Sequence, residues 1–181
     1  MPTFDGREYQ ARIDALADKG VDVHGEATLI RGFNPASVLD AGCGTGRVAI
    51  ELARHDIDTV GVDVDPSMIA EARRRAPEVE WIQSDLATLS LGRSFGVVVL
   101  AGNVPLFCPL EARASLVQAC AAHVQPGGAM IAGFQLDQGY ELNDYDSACD
   151  AAGLTLVQRS ATWDGAQFAA DSSYAVSVHT R

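Results

Sequence analysis

The chain has 181 residues, a length that fits one domain with a sizeable buried core. Its composition, 48% hydrophobic and 20% charged, is that of a globular protein and excludes a disordered or fibrous one. A formal net charge of -11 argues against nucleic acid and anionic membranes as partners.

The one basic run, Arg73-Arg74-Arg75, falls late in an expected helix and reads as a solvated face. Cys43, Cys108, Cys120 and Cys149 form no C-x-x-C pair and predict neither a disulfide nor a metal site. There is no N-terminal basic-then-apolar pattern, and no apolar run of the roughly 18 residues a membrane span needs. The default expectation is a cytoplasmic protein.

Apolar periodicity alternates between helical and strand spacing along the chain. Residues 7–19 place Ile13, Leu16 and Ala17 on one helical side, and Gly20 ends that helix. A short helix over 25–31 closes at Gly32-Phe33-Asn34-Pro35. Residues 37–41 form the first expected strand. After a glycine-rich loop, 47–55 is helical, with Val48, Ile50, Leu52 and Ala53 as its apolar groups. The second strand covers 58–62. Pro66 then opens a helix reaching about 76, with Asp65 as its N-cap. Strands three and four cover 78–83 and 95–101. The run Val97-Val98-Val99-Leu100 is apolar on both faces, as a central parallel strand covered by helices is.

A helix over 110–124 ends at Pro126-Gly127-Gly128, strand five covers 129–135, and a helix over 140–152 ends at Gly153. Residues 154–163 and 173–179 are joined through Asp164-Gly165 with no space for a crossover helix. They are expected to pair as an antiparallel hairpin at the sheet edge. Such alternation predicts a three-layer α/β fold in a single domain over 1–181.

Chemistry concentrates at the end of the first strand. The segment Val38-Leu39-Asp40-Ala41-Gly42-Cys43-Gly44-Thr45-Gly46 runs from a strand through three glycines into a helix. Glycine permits tight turns and close approach of backbone to a ligand, and the helix start offers unpaired N–H groups. Asp63 ends the second strand, where an acidic side chain accepts both hydroxyls of an adenosine ribose. The window Gly44-Thr45-Gly46-Arg47-Val48-Ala49 also matches the dinucleotide fingerprint G-x-G-x-x-G/A, which keeps an NAD-dependent oxidoreductase open. Two features oppose it. Asp40 would repel a pyrophosphate and suits a cationic amine, and the hairpin ending leaves no second mononucleotide-binding half. A Walker loop fails because no lysine follows the glycines. A ligand with adenosine at one end and an ammonium at the other fits, and S-adenosylmethionine has that charge pattern.

Taken together, these segments resemble the motifs of class I S-adenosylmethionine-dependent methyltransferases over about 37–179. Asp40-Ala41-Gly42-Cys43-Gly44-Thr45-Gly46 is similar to the family's D/E-x-G-x-G-x-G. The resemblance implies that Gly42, Gly44 and Gly46 wrap the methionine part of the cofactor while Asp40 holds its amino group, often through water. Gly61-Val62-Asp63-Val64-Asp65 resembles the second motif, which implies Asp63 on the ribose hydroxyls and Val64 against adenine. Ser84-Asp85-Leu86 resembles the third, with Asp85 on the adenine amino group and the Leu86 backbone at the ring. Ala101-Gly102-Asn103 falls where the family's fourth strand opens onto the methyl donor, and Pro126-Gly127-Gly128 resembles the turn before its fifth. The fold so implied is a Rossmann-like seven-stranded sheet over 36–181, in order 3-2-1-4-5-7-6 with strand seven antiparallel. Residues 1–35 would form an N-terminal helical lid.

Methyl transfer from a sulfonium is an in-line displacement. The protein has to align the partners, exclude water and, for some acceptors, remove a proton. Asn103 is a candidate for orienting an acceptor through its carbonyl oxygen, with an Asx turn before Pro105 as the competing reading. His24 is a candidate base, with a structural role at a helix start as the competing one. Tyr9 and Arg7 read either as lid or as helix surface. Met68 and Cys43 read as packing, His55 as structural, and His123 and His179 as peripheral.

The segment Asn103-Val104-Pro105-Leu106 departs from the N/D-P-P-Y/F tetrad of methyltransferases that act on exocyclic amines of bases or on glutamine, unless Phe107 supplies the aromatic. Together with the acidity, this disfavours a nucleic-acid substrate. Residues 137–139 leave no space for a substrate-covering insertion, and Phe107-Cys108-Pro109-Leu110 is expected to form an apolar pocket wall. The reading favours a small-molecule acceptor, while the open site that results also permits a protein side chain or a partner-completed site. A protein that binds the cofactor without transferring its methyl group stays open, because the same three carboxylates serve binding alone.

Overall fold

β-Branched and aromatic runs form the strands, and the segments between them form helices, in a computed structural model that describes residues 5–181. Helices α1 (Gly6–Ala17) and α2 (Gly25–Gly32) precede β1 (Ser37–Ala41), α3 (Arg47–Ala53), β2 (Asp58–Asp63), α4 (Pro66–Arg75) and β3 (Glu80–Gln83). A 3₁₀ turn at Leu86–Thr88 leads to β4 (Phe95–Leu100) and α5 (Val104–Phe107). A second 3₁₀ turn at Leu110–Ala112 is followed by α6 (Arg113–Ala122), β5 (Val124–Gln135), α7 (Leu142–Ala151), β6 (Thr155–Ser160) and β7 (Tyr174–Thr180).

The strands form a 7-stranded sheet in the order β3-β2-β1-β4-β5-β7-β6, as expected. Pairs β1–β2, β1–β4, β2–β3 and β4–β5 are parallel, and β7 runs antiparallel between β5 and β6. Because side chains alternate along a strand, β1 and β4 feed both layers. Leu39, Ala41, Val98 and Leu100 pack with α6 and α7 through Leu116, Val117, Tyr145 and Cys149. Val38, Val97 and Val99 pack on the other face with Ala27 and Ile30 of α2 and Val48 and Leu52 of α3. Every residue of β4 is buried, as its two-faced apolar run requires. Asp65 caps α4 as expected, its carboxylate accepting from the Ser67 and Met68 N–H groups.

Three expectations are corrected. No single helix covers 110–124. The segment opens as a 3₁₀ turn at Leu110–Ala112, continues as α6 and stops at Ala122, because Val124 already pairs with Phe95 in the sheet. The turn at Pro126-Gly127-Gly128 does not precede β5 but interrupts it. Phe95 faces Val124 and Val97 faces Ala129, so the glycines bulge out between two paired stretches. Nor are Arg73 and Arg75 simply solvated. Arg73 Nη2 donates to the Trp81 carbonyl and Arg75 Nη1 to the Thr45 carbonyl, each at 2.9 Å.

Helix α1 is fixed to α4 where the Gly6 N–H donates to Ser67 Oγ at 3.2 Å. The first four residues of the expected N-terminal lid lie outside the described residues. Among the described residues, no helix is long and apolar enough to cross a membrane.

Candidate functional site

The C-terminal ends of β1, β2 and β4 open onto a cavity of about 470 Å³, within the range of small-molecule sites. At the end of β1 the backbone turns through Gly42, Gly44 and Gly46 with φ of 84, 54 and 83°, the left-handed region that side chains avoid. Two of these glycines also admit close neighbours. A Cβ on Gly42 would lie 2.5 Å from Val104, and one on Gly46 would lie 2.3 Å from the Trp81 ring. Trp81 thus holds the loop from behind, under Gly46 and Gly61.

Asp63 pins the loop from the β2 side. Its Oδ2 accepts the Gly44 N–H at 2.8 Å and its Oδ1 the Asp65 N–H at 2.9 Å. Each oxygen keeps a lone pair for another donor. Burial raises the Asp63 pKa, opposed by those two N–H groups.

Asp40 is 1% exposed, and its Oδ2 accepts the Ala49 N–H of α3 at 3.1 Å. Burial raises its pKa from 3.8 to about 7, against the lowering effects of the Ala49 N–H and Arg47. Asp85 caps the 3₁₀ turn by accepting the Ala87 N–H through Oδ1 at 2.9 Å. All three carboxylates line the one cavity, with Val64, Leu86 and Ala101 beside them. Val64 is 43% exposed, an apolar surface turned outward into the cavity wall. Cys43 and Met68 are buried as expected, and each also shows a face to the cavity.

The catalytic candidates sit elsewhere. Asn103 adopts a left-handed φ of 68°, and its Oδ1 accepts the Gln135 N–H at 2.8 Å, tying the end of β4 to the end of β5. His24 precedes α2 with its Nδ1 3.9 Å from Glu51 Oε2. Neither residue lines the cavity. Tyr9 does, from α1, and Phe107, Cys108 and Pro109 form an apolar stretch of its wall. Arg7 lies instead on a shallow surface between α1 and α4.

Sequence reading missed three further features. Thr45 donates to Gln10 Oε1 at 2.6 Å, bringing α1 onto the glycine loop. Arg47 lines the cavity and is gripped by Glu26 of α2 in a two-pronged ion pair, Nη1 to Oε2 at 2.7 Å and Nη2 to Oε1 at 2.6 Å. Val104, Ala112 and Leu116 complete the apolar floor. A signal for the ion pair existed in Arg47, the first helical residue after the glycines, but nothing nearby in sequence named its partner.

Comparison with known proteins agrees with this geometry. A family model described as a methyltransferase domain matches residues 38–128. A crystal structure of a TehB-like SAM-dependent methyltransferase from Corynebacterium glutamicum superposes with a TM-score of 0.92 at 32% identity, covering 97% of each chain. The chain therefore belongs to the class I S-adenosylmethionine-dependent methyltransferases. Among curated relatives, it is 30% identical over 129 residues to dTDP-3-amino-3,4,6-trideoxy-alpha-D-glucopyranose N,N-dimethyltransferase of Streptomyces venezuelae, covering 70% of this chain and 50% of that protein. It is 35% identical over 143 residues to dTDP-3-amino-3,6-dideoxy-alpha-D-glucopyranose N,N-dimethyltransferase of Streptomyces fradiae, covering 68% and 53%. The chain spans about half the length of these curated relatives.

Proposed function

We propose that the cavity binds S-adenosylmethionine and that the protein transfers its methyl group to a small-molecule acceptor. The observation that carries this reading is the convergence of Asp40, Asp63 and Asp85, from three successive strand ends, on one cavity. The residues present fit the cofactor. Among the described residues, buried Asp40 has no ion-pair partner and suits an ammonium, Asp63 has lone pairs left for two ribose hydroxyls, and Asp85 and the Val64 and Leu86 surfaces suit adenine.

The donor, when bound, would supply a methyl group activated for transfer by its sulfonium. The chain's own contribution is placement and exclusion of water. The glycine turn and Asp40 fix the amino-acid end, Asp63 fixes the ribose, and Tyr9 with Val104 and Phe107 closes apolar surface around the remaining space. A small acceptor rather than a nucleic acid is supported by the net charge of -11 and by the departure from the N/D-P-P-Y/F tetrad.

Calorimetric titration tests the reading. S-adenosylhomocysteine should bind at micromolar affinity and NAD should not. Binding of NAD without S-adenosylhomocysteine would overturn the assignment.

A further inference from the structure

Beyond the residues assigned to the donor, one side of the cavity is made by α5 and the segment running from it into α6. Val104, Phe107, Cys108, Pro109, Ala112 and Leu116 line it, and the Cys108 thiol is the one polar side chain among them. Burial and the Asp85 carboxylate raise the Cys108 pKa, which keeps that thiol neutral at ordinary pH. Phe107 lines the cavity and is still 55% exposed, and Leu110, just past Pro109, is 66% exposed. The apolar surface therefore continues from the cavity to the outside of the protein, as it does at ligand entrances.

The cation that belongs to this segment is held behind it. Arg113 is 8% exposed and does not line the cavity. Its Nε donates to the Cys108 carbonyl at 3.2 Å and its Nη1 to the Gly139 carbonyl at 2.6 Å, with the guanidinium 4.9 Å from the centre of the Tyr140 ring. Arg113 thus braces the wall and lends it no charge. Among the described residues, the charged groups that do line the cavity are Asp40, Asp63, Asp65, Asp85 and Arg47, and Arg47 already carries Glu26 as its partner. An anionic acceptor would meet four carboxylates and one engaged cation. A polyhydroxylated acceptor would lose water along the wall and gain few hydrogen bonds in return.

Resting on the methyl-donor reading above, we propose that this wall is the acceptor subsite and that it takes an uncharged, apolar acceptor built on a flat ring. Two aromatic side chains on the cavity, Phe107 and Tyr9, suit a ring, and Phe107 at the mouth selects for it.

Fluorescence titration in the presence of saturating S-adenosylhomocysteine tests this with two probes. They are α-naphthylamine, uncharged at neutral pH, and its ring-sulfonated form, which differs by one fixed negative charge. The wild-type protein should bind α-naphthylamine at least about tenfold more tightly than the sulfonate. F107K alters a side chain that is more than half exposed, so the fold should persist. It should weaken α-naphthylamine about tenfold and strengthen the sulfonate, reversing the preference. F107L should keep the preference for the uncharged probe. A wild-type protein that binds the sulfonate as tightly, or an F107K variant with an unchanged ratio, overturns the proposal. So does α-naphthylamine that fails to bind while S-adenosylhomocysteine binds, and that result leaves the methyl-donor reading standing. A protein that binds no S-adenosylhomocysteine overturns both.

Discussion

Lowering the pH from about 7.5 to about 6 should loosen the protein's hold on its proposed donor, because Asp40 has its pKa raised to about 7 by burial. The carboxylate form then makes up about three quarters of the protein at the upper pH and about a tenth at the lower. Only the charged form pairs with an ammonium, so apparent affinity follows that fraction and falls roughly eightfold. Stability moves the opposite way. Folding favours the neutral carboxyl, so the stability this group contributes is complete below its ordinary value of 3.8 and is lost as the pH rises through about 7. The loss at alkaline pH amounts to about 4 kcal/mol.

The variant D40N separates the two effects. It should be more stable than the wild type at about pH 8 in the absence of ligand, by up to about 4 kcal/mol, and should bind S-adenosylhomocysteine weakly and without pH dependence over this window. Titration calorimetry across the window and thermal unfolding at its two ends measure both. Equal affinity of the wild-type protein at the two ends would refute the reasoning, as would a D40N protein that keeps wild-type binding.

Two further expectations concern the supports of the glycine turn. D63A removes the acceptor of the Gly44 and Asp65 N–H groups, which should cost about 2–4 kcal/mol in chemical denaturation and weaken S-adenosylhomocysteine at least about tenfold. Unchanged binding would reject the ribose role. G61A places a Cβ 2.3 Å from the Trp81 ring, and the displaced indole should lower stability by about 1–3 kcal/mol. An unaltered denaturation midpoint would show that Trp81 does not brace the turn.

The sheet was legible because its strands carry apolar patterns and are set off by glycine turns, helix starts or helix stops. Asp40, Asp63 and Asp85 were legible for a related reason, since a carboxylate at a parallel strand's end has one place to go, and the structure does bring all three to one cavity. What escaped was set by contacts between distant residues. Glu26 and Arg47 lie 21 positions apart and Asn103 and Gln135 lie 32 apart, and no local pattern links either pair. Arg75 looked like surface charge because its partner is a loop carbonyl 30 residues earlier. The short helix α5 ahead of Pro109 also escaped, because four residues are too few to show a helical period.

The cavity's two sides are made by different means. Asp40 and Asp63 stand on strands whose backbones are knitted into the sheet and Asp85 caps the turn just past β3, while Tyr9 and the Phe107-Cys108-Pro109 stretch face them from segments outside it, with α1 joined to the turn by contacts such as Gln10 to Thr45. Substitutions on the second side leave the strand register untouched. A lineage built on this plan can drift among acceptors one wall residue at a time while its methyl donor stays the same.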